Sequence, residues 1–321
     1  MDTELMPELP EVEYTARQLR HAIVGATIQD AQVFWERTIG HPELPDFLAE
    51  IAGRDILAVR RRGKFLVLDL SGDLILTVHR RMTGNLLLLP PGWEIDTSLR
   101  EIDAVAWNTR GPAIRPVGAQ FIAASDPKGR NELRPYEYGR ASFNLADGRR
   151  LLYTDPRKFG RIELWPRELE AEALEGLGPE PLSDEFTVEG LARSLSMRKG
   201  AIKQALLNQE IIAGLGNIYA DEALYYAAIH PLRPAYSLSP GEIRLLHEGI
   251  VSVLTLGIEH GGTSFSEYRD LWGEAGENYN HVRVYQQEGK PCKRCGQIIE
   301  RIVVAQRGTH FCPGCQKLTV E

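Results

Sequence analysis

The spacing of apolar positions changes once along this chain, after about residue 187. From Pro10 to Gly25, Val12, Ala16, Leu19 and Ile23 recur three or four apart. That is the period of a helix with one buried stripe, and Gly25 stands where such a helix stops. Short apolar or alternating runs follow at 27–35, 56–62, 65–70, 74–79, 85–89, 117–124, 141–145, 149–154 and 161–165. Turn signals such as Ser71-Gly72-Asp73 and Ala146-Asp147-Gly148 separate them, which predicts a sandwich or barrel of short strands. Residues 90–135 are rich in Pro, Gly and charge and read as long surface loops. An acidic stretch, 168–185, reads as a linker. Beyond it the period becomes helical, at 188–197, 201–207, 218–228 and 243–257, and a small separate unit closes the chain from residue 282. The expectation is an α+β multidomain protein. An N-terminal helix and β-sandwich fill 6–167, a linker 168–186, a helical domain 187–281 and a small β unit 282–321.

Length agrees, since 321 residues suggest roughly two domains. No apolar run approaches the ~18 residues of a membrane span. The start, Met1-Asp2-Thr3-Glu4-Leu5, lacks the basic and apolar parts of a secretory signal, so a cytoplasmic protein is expected. The net charge of −7 argues weakly against a nucleic-acid partner. Its distribution leaves a basic face open, because cations cluster at Arg60-Arg61-Arg62-Gly63-Lys64, His79-Arg80-Arg81, Arg157-Lys158, Arg198-Lys199 and 290–294.

All four cysteines lie at the end, as Cys292-x-x-Cys295 and Cys312-x-x-Cys315 with sixteen residues between the pairs. This is the spacing of a four-thiolate structural zinc site, one Zn2+ with no open coordination position. A unit of this size needs such a staple. Between the pairs, Ala305-Gln306-Arg307-Gly308-Thr309 reads as a turn. Arg307 there suits a phosphate, or is an ordinary solvated turn residue.

Other motifs carry two readings each. Gly214-Leu215-Gly216-Asn217 opens a helix, which binds a phosphate readily or is only a tight interhelical turn. Asp155-Pro156-Arg157-Lys158-Phe159-Gly160 and His79-Arg80-Arg81-Met82-Thr83-Gly84 each put cations beside one apolar side chain at a loop tip. Such tips suit wedging between bases, although Phe159 or Met82 alone would be read as core. Lys64 opens a strand and either touches phosphate or is an exposed edge lysine. Finally, Pro7-Glu8-Leu9-Pro10-Glu11 begins a helix in the bland reading. If Met6 were the start and were removed, Pro7 would instead present a free secondary amine able to form an iminium.

Together these blocks resemble the formamidopyrimidine-DNA glycosylase / endonuclease VIII family. They are Pro-Glu-Leu-Pro-Glu-Val-Glu at 7–13, Arg-Gly-Lys at 62–64, His-x-x-Met-Thr-Gly at 79–84, Asp-Pro-Arg-x-Phe-Gly at 155–160 and Gly-Leu-Gly-Asn-Ile-Tyr at 214–219, followed by the paired CxxC around Arg307. The resemblance implies a β-sandwich, a helix–two-turns–helix domain and a zinc finger, with DNA across the cleft between the halves. It implies a bifunctional glycosylase and lyase acting, as a monomer, on double-stranded DNA that contains oxidised bases or abasic sites. Pro7 would attack C1′ and Glu8 would act as general acid. Lys64 would assist at the phosphates, and Arg307, Asn217 and Lys203 would hold phosphate. Met82, Arg157 and Phe159 would fill the space of the flipped-out nucleotide, and Tyr138, where the family often has a histidine, would donate to phosphate. Pro-Glu-Leu-Pro-Glu-Val looks like the branch acting on 8-oxoguanine and formamidopyrimidines. The alternatives are oxidised-pyrimidine excision by the same chemistry, or a non-catalytic DNA-binding protein in which residues 1–5 block Pro7. The working enzyme is expected to lack Asp2 to Leu5, with Met6 cleaved away.

Overall fold

The structure is a computed structural model that describes residues 6–96, 113–116, 138–265 and 268–318. The chain start at residues 1–5 and the strand expected at 117–124 lie outside the described residues.

Helix α1 (Leu9–Ile23) has Pro10 in its first turn, and the backbone N–H of Glu8 donates to Glu11 Oε2 at 2.8 Å. That bond is half of a capping box. Its stripe of Leu9, Val12, Ala16, Leu19 and Ile23 is wholly buried. Strands β1 (Thr27–Val33), β2 (Ile39–His41), β3 (Arg54–Arg62), β4 (Phe65–Leu70), β5 (Leu74–His79) and β6 (Asn85–Leu89) follow, with helix α2 (Leu44–Ile51) between β2 and β3. β7 (Trp93–Asp96) and β8 (Ala113–Pro116) pair with each other inside the region expected to be loops. β9 (Gly139–Leu145), β10 (Arg150–Thr154) and β11 (Arg161–Pro166) complete a nine-stranded hydrogen-bonded order, β2-β11-β5-β4-β3-β1-β9-β10-β6.

The order bends at its middle. β1 meets β3 at only two positions, Thr27 opposite Asp55 and Ile28 opposite Arg54, and then pairs along β9. Leu68 and Leu76 from one half share a single core with Phe143 and Leu151 from the other, together with Val12, Ala16, Leu19 and Ile23 of α1 and Phe47 of α2. The sheet therefore closes over itself as a sandwich, and the expected fold class holds.

After a short helix α3 (Glu170–Ala173), the helical half comprises α4 (Val188–Ser196), α5 (Ile202–Leu206), α6 (Asn217–Tyr226) and α7 (Pro240–Glu259). The N-termini are set by local chemistry. Thr187 Oγ1 accepts from Gly190 N, and Ser239 and Glu242 form a capping box. α6 packs on α7, and α1 packs on α7 as well as on β3, so α1 joins the two halves. Among the described residues no helix is long and apolar enough to cross a membrane.

The last unit is a hairpin of β12 (Glu300–Val304) and β13 (Arg307–Phe311), with Val304 opposite Arg307. Ala305 and Gln306 both have positive φ, 49° and 62°, as a two-residue turn of the mirror-image type demands.

One expectation needs correction. Arg60-Arg61-Arg62 is not an open basic face, because Glu170 and Glu180 of the acidic stretch reach it. Glu170 and Asp69 take Arg60, Glu13 and Glu180 take Arg61, and Glu180 also takes Arg62. The acids and bases that looked like separate surface features neutralise each other.

Candidate active site

The start of α6 meets the start of α1. The Glu8 carboxyl accepts from the backbone N–H of Ile218 at 2.9 Å and of Tyr219 at 3.4 Å. These are unsatisfied donors at the positive end of a helix. The two glycines before α6 allow the approach. A Cβ on Gly214 would sit 2.8 Å from Leu9 Cβ, and one on Gly216 only 2.3 Å from Glu8 Cδ. Leu9 N donates to Gly214 O at 3.0 Å. The helix start that reads either as a phosphate site or as a tight interhelical turn thus has two of its backbone donors on a carboxyl of the same chain.

Glu8 is 3% exposed. Burial pushes its pKa up to about 7, opposed by the nearby Lys64 ammonium and assisted by Glu11. Lys64 is also buried, which pushes its pKa down despite Glu8 and Glu11. Glu11 holds the turn that carries Glu8, through the Glu8 backbone N–H. Its carboxylate also accepts from Tyr219 OH and Thr263 N, each at 2.7 Å, so it ties α1 to α6 and to the segment after α7. The capping bond to Glu8 is local, but these two partners lie more than two hundred residues away, and nothing in the sequence marked them.

Glu8 and Lys64 open into a cleft of about 700 Å³ between the two halves. Met6, Met82, Phe159, Asn217 and Arg307 line it as well. Met6 is bonded to the Pro7 nitrogen, which is therefore an amide, and Pro7 itself is buried. Also on the wall is His79, which the sequence offered only as part of a basic tip. Burial, then Arg81 and Lys64, push its pKa down to about 3, and its Nδ1 accepts from Arg81 N at 3.2 Å. His79 is a neutral ring in a cleft with cations on either side.

The two loop tips form one assembly, which sequence reasoning missed. Asp155 accepts from Gly160 N at 2.8 Å and from Arg157 N at 3.2 Å, and Thr83 Oγ1 donates to the same carboxylate. The residue after Met82 and the loop carrying Phe159 are thus bonded to one side chain. Phe159 is 51% exposed with the Arg157 guanidinium 5.0 Å from its ring, and Met82 is half-buried. Arg80, from the same tip, is not a surface cation. It is buried and donates to Thr15 Oγ1, Gly84 O, Asn85 Oδ1 and Arg269 O.

Arg307 enters the cleft from the hairpin turn, and the helical half fixes that turn. Asn217 Nδ2 donates to Gly308 O at 3.0 Å, and Asp221 accepts from His310 N at 2.8 Å. Lys203, expected at a phosphate, is buried. It is 0% exposed, its ammonium is 2.5 Å from Asp221, and it reaches Gly308 O at 3.4 Å. A buried cation needs a buried partner, so Lys203 serves the anchoring of the finger. Tyr138 is half-buried, adopts φ 72°, and accepts from Asp155 N through its carbonyl. Neither it, Arg157 nor Lys203 is on the cleft wall.

The four cysteine Sγ atoms lie within 4.8 Å of one another, with Cys292–Cys315 at 3.9 Å and Cys295–Cys312 at 3.4 Å. Zinc–sulfur bonds of about 2.3 Å in a tetrahedron put sulfurs about 3.8 Å apart. The donor set fits one structural Zn2+, held by Cys292, Cys295, Cys312 and Cys315.

Three family profiles match the chain in order. They are the formamidopyrimidine-DNA glycosylase N-terminal domain over residues 6–162, the formamidopyrimidine-DNA glycosylase H2TH domain over 177–269, and the zinc finger found in FPG and IleRS over 289–318. The formamidopyrimidine-DNA glycosylase of Roseiflexus sp. (strain RS-1) is 41% identical over 313 residues, covering 97% of this chain and 100% of that protein. That of Herpetosiphon aurantiacus is 42% identical over 317 residues, with the same coverage. A Lactococcus lactis FPG variant bound to a Fapy-dG-containing DNA superposes with a TM-score of 0.79 at 33% identity, covering 97% of this chain and 100% of that one. The Lactococcus lactis Fpg complex with abasic-site DNA gives 0.78 at 32%, covering 97% and 99%. Matched over nearly its full length in both sequence and structure, the chain belongs to the formamidopyrimidine-DNA glycosylase family.

Proposed function

We propose that this protein is a bifunctional glycosylase and abasic-site lyase that excises oxidised purines from double-stranded DNA, using the amine of Pro7 as nucleophile. The observation that carries the reading is the pairing of Glu8 with the start of α6 at the base of a cleft lined by Lys64, Asn217 and Arg307. Double-stranded DNA with oxidised or abasic nucleotides is the partner for which such a cleft is suited. The similar Lactococcus lactis structures hold Fapy-dG-containing and abasic-site DNA.

The chemistry requires Pro7 as a free amine. An α-amino group has a pKa of about 7.7–8.0, so a useful fraction is neutral near pH 7. Its lone pair attacks C1′, the glycosidic bond breaks, and the base leaves with the bonding electrons. Glu8, with a pKa raised to about 7 by burial, is poised to give its proton to the ring oxygen as the C1′–O bond opens. The amine's own proton is lost and an iminium remains. Removal of a C2′ proton then expels the 3′ phosphate, and a second elimination expels the 5′ phosphate. Lys64, whose pKa is lowered by burial, serves proton transfer and the phosphates. Arg307 and Asn217 hold the phosphate beside the lesion, and Tyr138 donates to a neighbouring one. Flipping a nucleotide out of the stack costs a few kcal/mol, least at a damaged pair. Met82 and Phe159 fill the vacated space, and Arg157 meets the orphaned base.

Borohydride reduction of the iminium is the test. A protein beginning at Pro7 should be covalently trapped on an 8-oxoguanine duplex and should leave phosphates at both ends of the gap. Absence of any adduct on every oxidised-base or abasic substrate would overturn the proposal.

A further inference from the structure

The last turn of α6 reaches the zinc site. Tyr225 is 5% exposed, and its hydroxyl oxygen lies 3.3 Å from Cys292 Sγ. The ring is held on its other side. The Arg294 guanidinium sits 4.3 Å from the ring centroid, and Arg294 Nη1 donates to the Tyr225 carbonyl at 3.1 Å. Cys292 is 3% exposed and also accepts from Arg294 N at 3.4 Å. Tyr225, Val284, Cys292, Ile299 and Cys312 form one small buried cluster.

Four thiolates around one Zn2+ leave a net charge of −2 on the site. A thiolate bound to metal carries no proton, so the direction of the contact is settled by chemistry, with the tyrosine hydroxyl as donor. Hydrogen bonds to an ionised acceptor are about twice as strong as neutral ones. The donor comes from the helical half, while all four ligands come from the finger. We propose that Tyr225 is an outer-shell residue of the zinc site, whose hydroxyl hydrogen-bonds the Cys292 thiolate and retains the metal. Tyr225 does not touch substrate in this account. It is a positioning residue, on the same helix whose first turn holds Glu8.

The test removes one oxygen atom. The Tyr225→Phe variant keeps the ring packed against Arg294 and loses only the hydroxyl. Zinc release from the full-length protein is followed at fixed pH with an excess of a chromophoric chelator. Loss of an outer-shell partner typically weakens metal binding 10–100-fold, so release about tenfold faster than from the unchanged protein is expected. The second readout is the 113Cd resonance of cadmium-loaded protein, which reports the electron density at the four sulfurs. It should move in Tyr225→Phe. A variant isolated without metal is refilled with 113Cd2+ under reducing conditions and read the same way. Release within twofold of the unchanged protein, or a cadmium resonance that does not move, overturns the proposal.

Discussion

Glu8 and Gly216 share a space that admits only one side chain. A Cβ on Gly216 would lie 2.3 Å from Glu8 Cδ and 2.5 Å from Oε1. Gly216 itself has φ −133° and ψ −159°, a conformation alanine adopts without strain. Gly216→Ala is therefore a steric probe of the Glu8 carboxyl and not of the backbone. Overpacking of this kind costs about 1–3 kcal/mol. Moving a proton donor from its place removes a contribution of about 10²–10⁴. The variant should remain folded and lose base-excision activity by at least about 10² in single-turnover assays. Retention of normal rates would show that the carboxyl does not need this position.

The pH dependence follows from the same residue. In the proposed reaction Glu8 acts in its protonated form, and its pKa is raised to about 7 by burial. The rate should be sustained below pH 7 and fall as pH rises through it, apart from the opposing titration of the Pro7 amine. Stability runs in the same direction. The unfolded chain releases this proton near 4.5 and the folded chain near 7. The folded state thus holds the extra proton between those values, and stability is lost as pH rises through that window. Glu8→Gln should be more stable than the unchanged protein at pH 8, by at most on the order of 3 kcal/mol, with the difference vanishing below about pH 4.5. Denaturant unfolding at three pH values measures it, and a difference independent of pH would contradict the burial argument.

Lys203 distinguishes anchoring from phosphate contact. Removing one partner of a buried ion pair destabilises by about 3–5 kcal/mol, because the other is left unpaired. Lys203→Ala strands Asp221, whose remaining donors are His310 N and its ring Nδ1. Urea unfolding should show a loss of that order. A phosphate ligand would behave otherwise, with stability unchanged and the salt dependence of DNA binding reduced by about one charge.

Phe159 should separate binding from folding. It is half exposed and touches Arg157, so Phe159→Ala should change stability by less than about 0.5 kcal/mol. It should weaken capture of lesion-containing duplex and leave cleavage of a preformed abasic site less affected. Equal effects on both substrates would remove the wedge role. Asp155→Asn is a useful companion, because that carboxylate sets both tips, and it should affect Met82 and Phe159 functions together.

Much of the fold is legible in the apolar pattern of the sequence. The strands at Phe65–Leu70, Leu74–His79 and Asn85–Leu89 have the bounds expected from their apolar runs, because glycine and charged turns punctuate them. Helix α2 was missed, since only Phe47 and Ile51 of its eight residues are buried and prolines stand at 42 and 45. Contacts between distant carboxylates and arginines were invisible for a different reason. Glu170 lies 110 residues from Arg60, and Glu11 more than two hundred from Tyr219. Periodicity reports which face of an element is buried, and not which partner meets it there. The zinc ligands were legible because their spacing is itself the local geometry. The burial of Lys203 against Asp221 was not legible, because a position in a motif does not reveal whether a side chain points to solvent or into a core.

In the proposed reaction the Pro7 nitrogen is the nucleophile. Borohydride trapping on an 8-oxoguanine duplex, comparing protein that begins at Pro7 with protein that retains residues 1–6, tests it most directly. A covalent adduct is expected with the Pro7-started protein, and none with the extended form as confirmed by its intact mass. An adduct formed by the extended form with residues 1–6 still attached would contradict it.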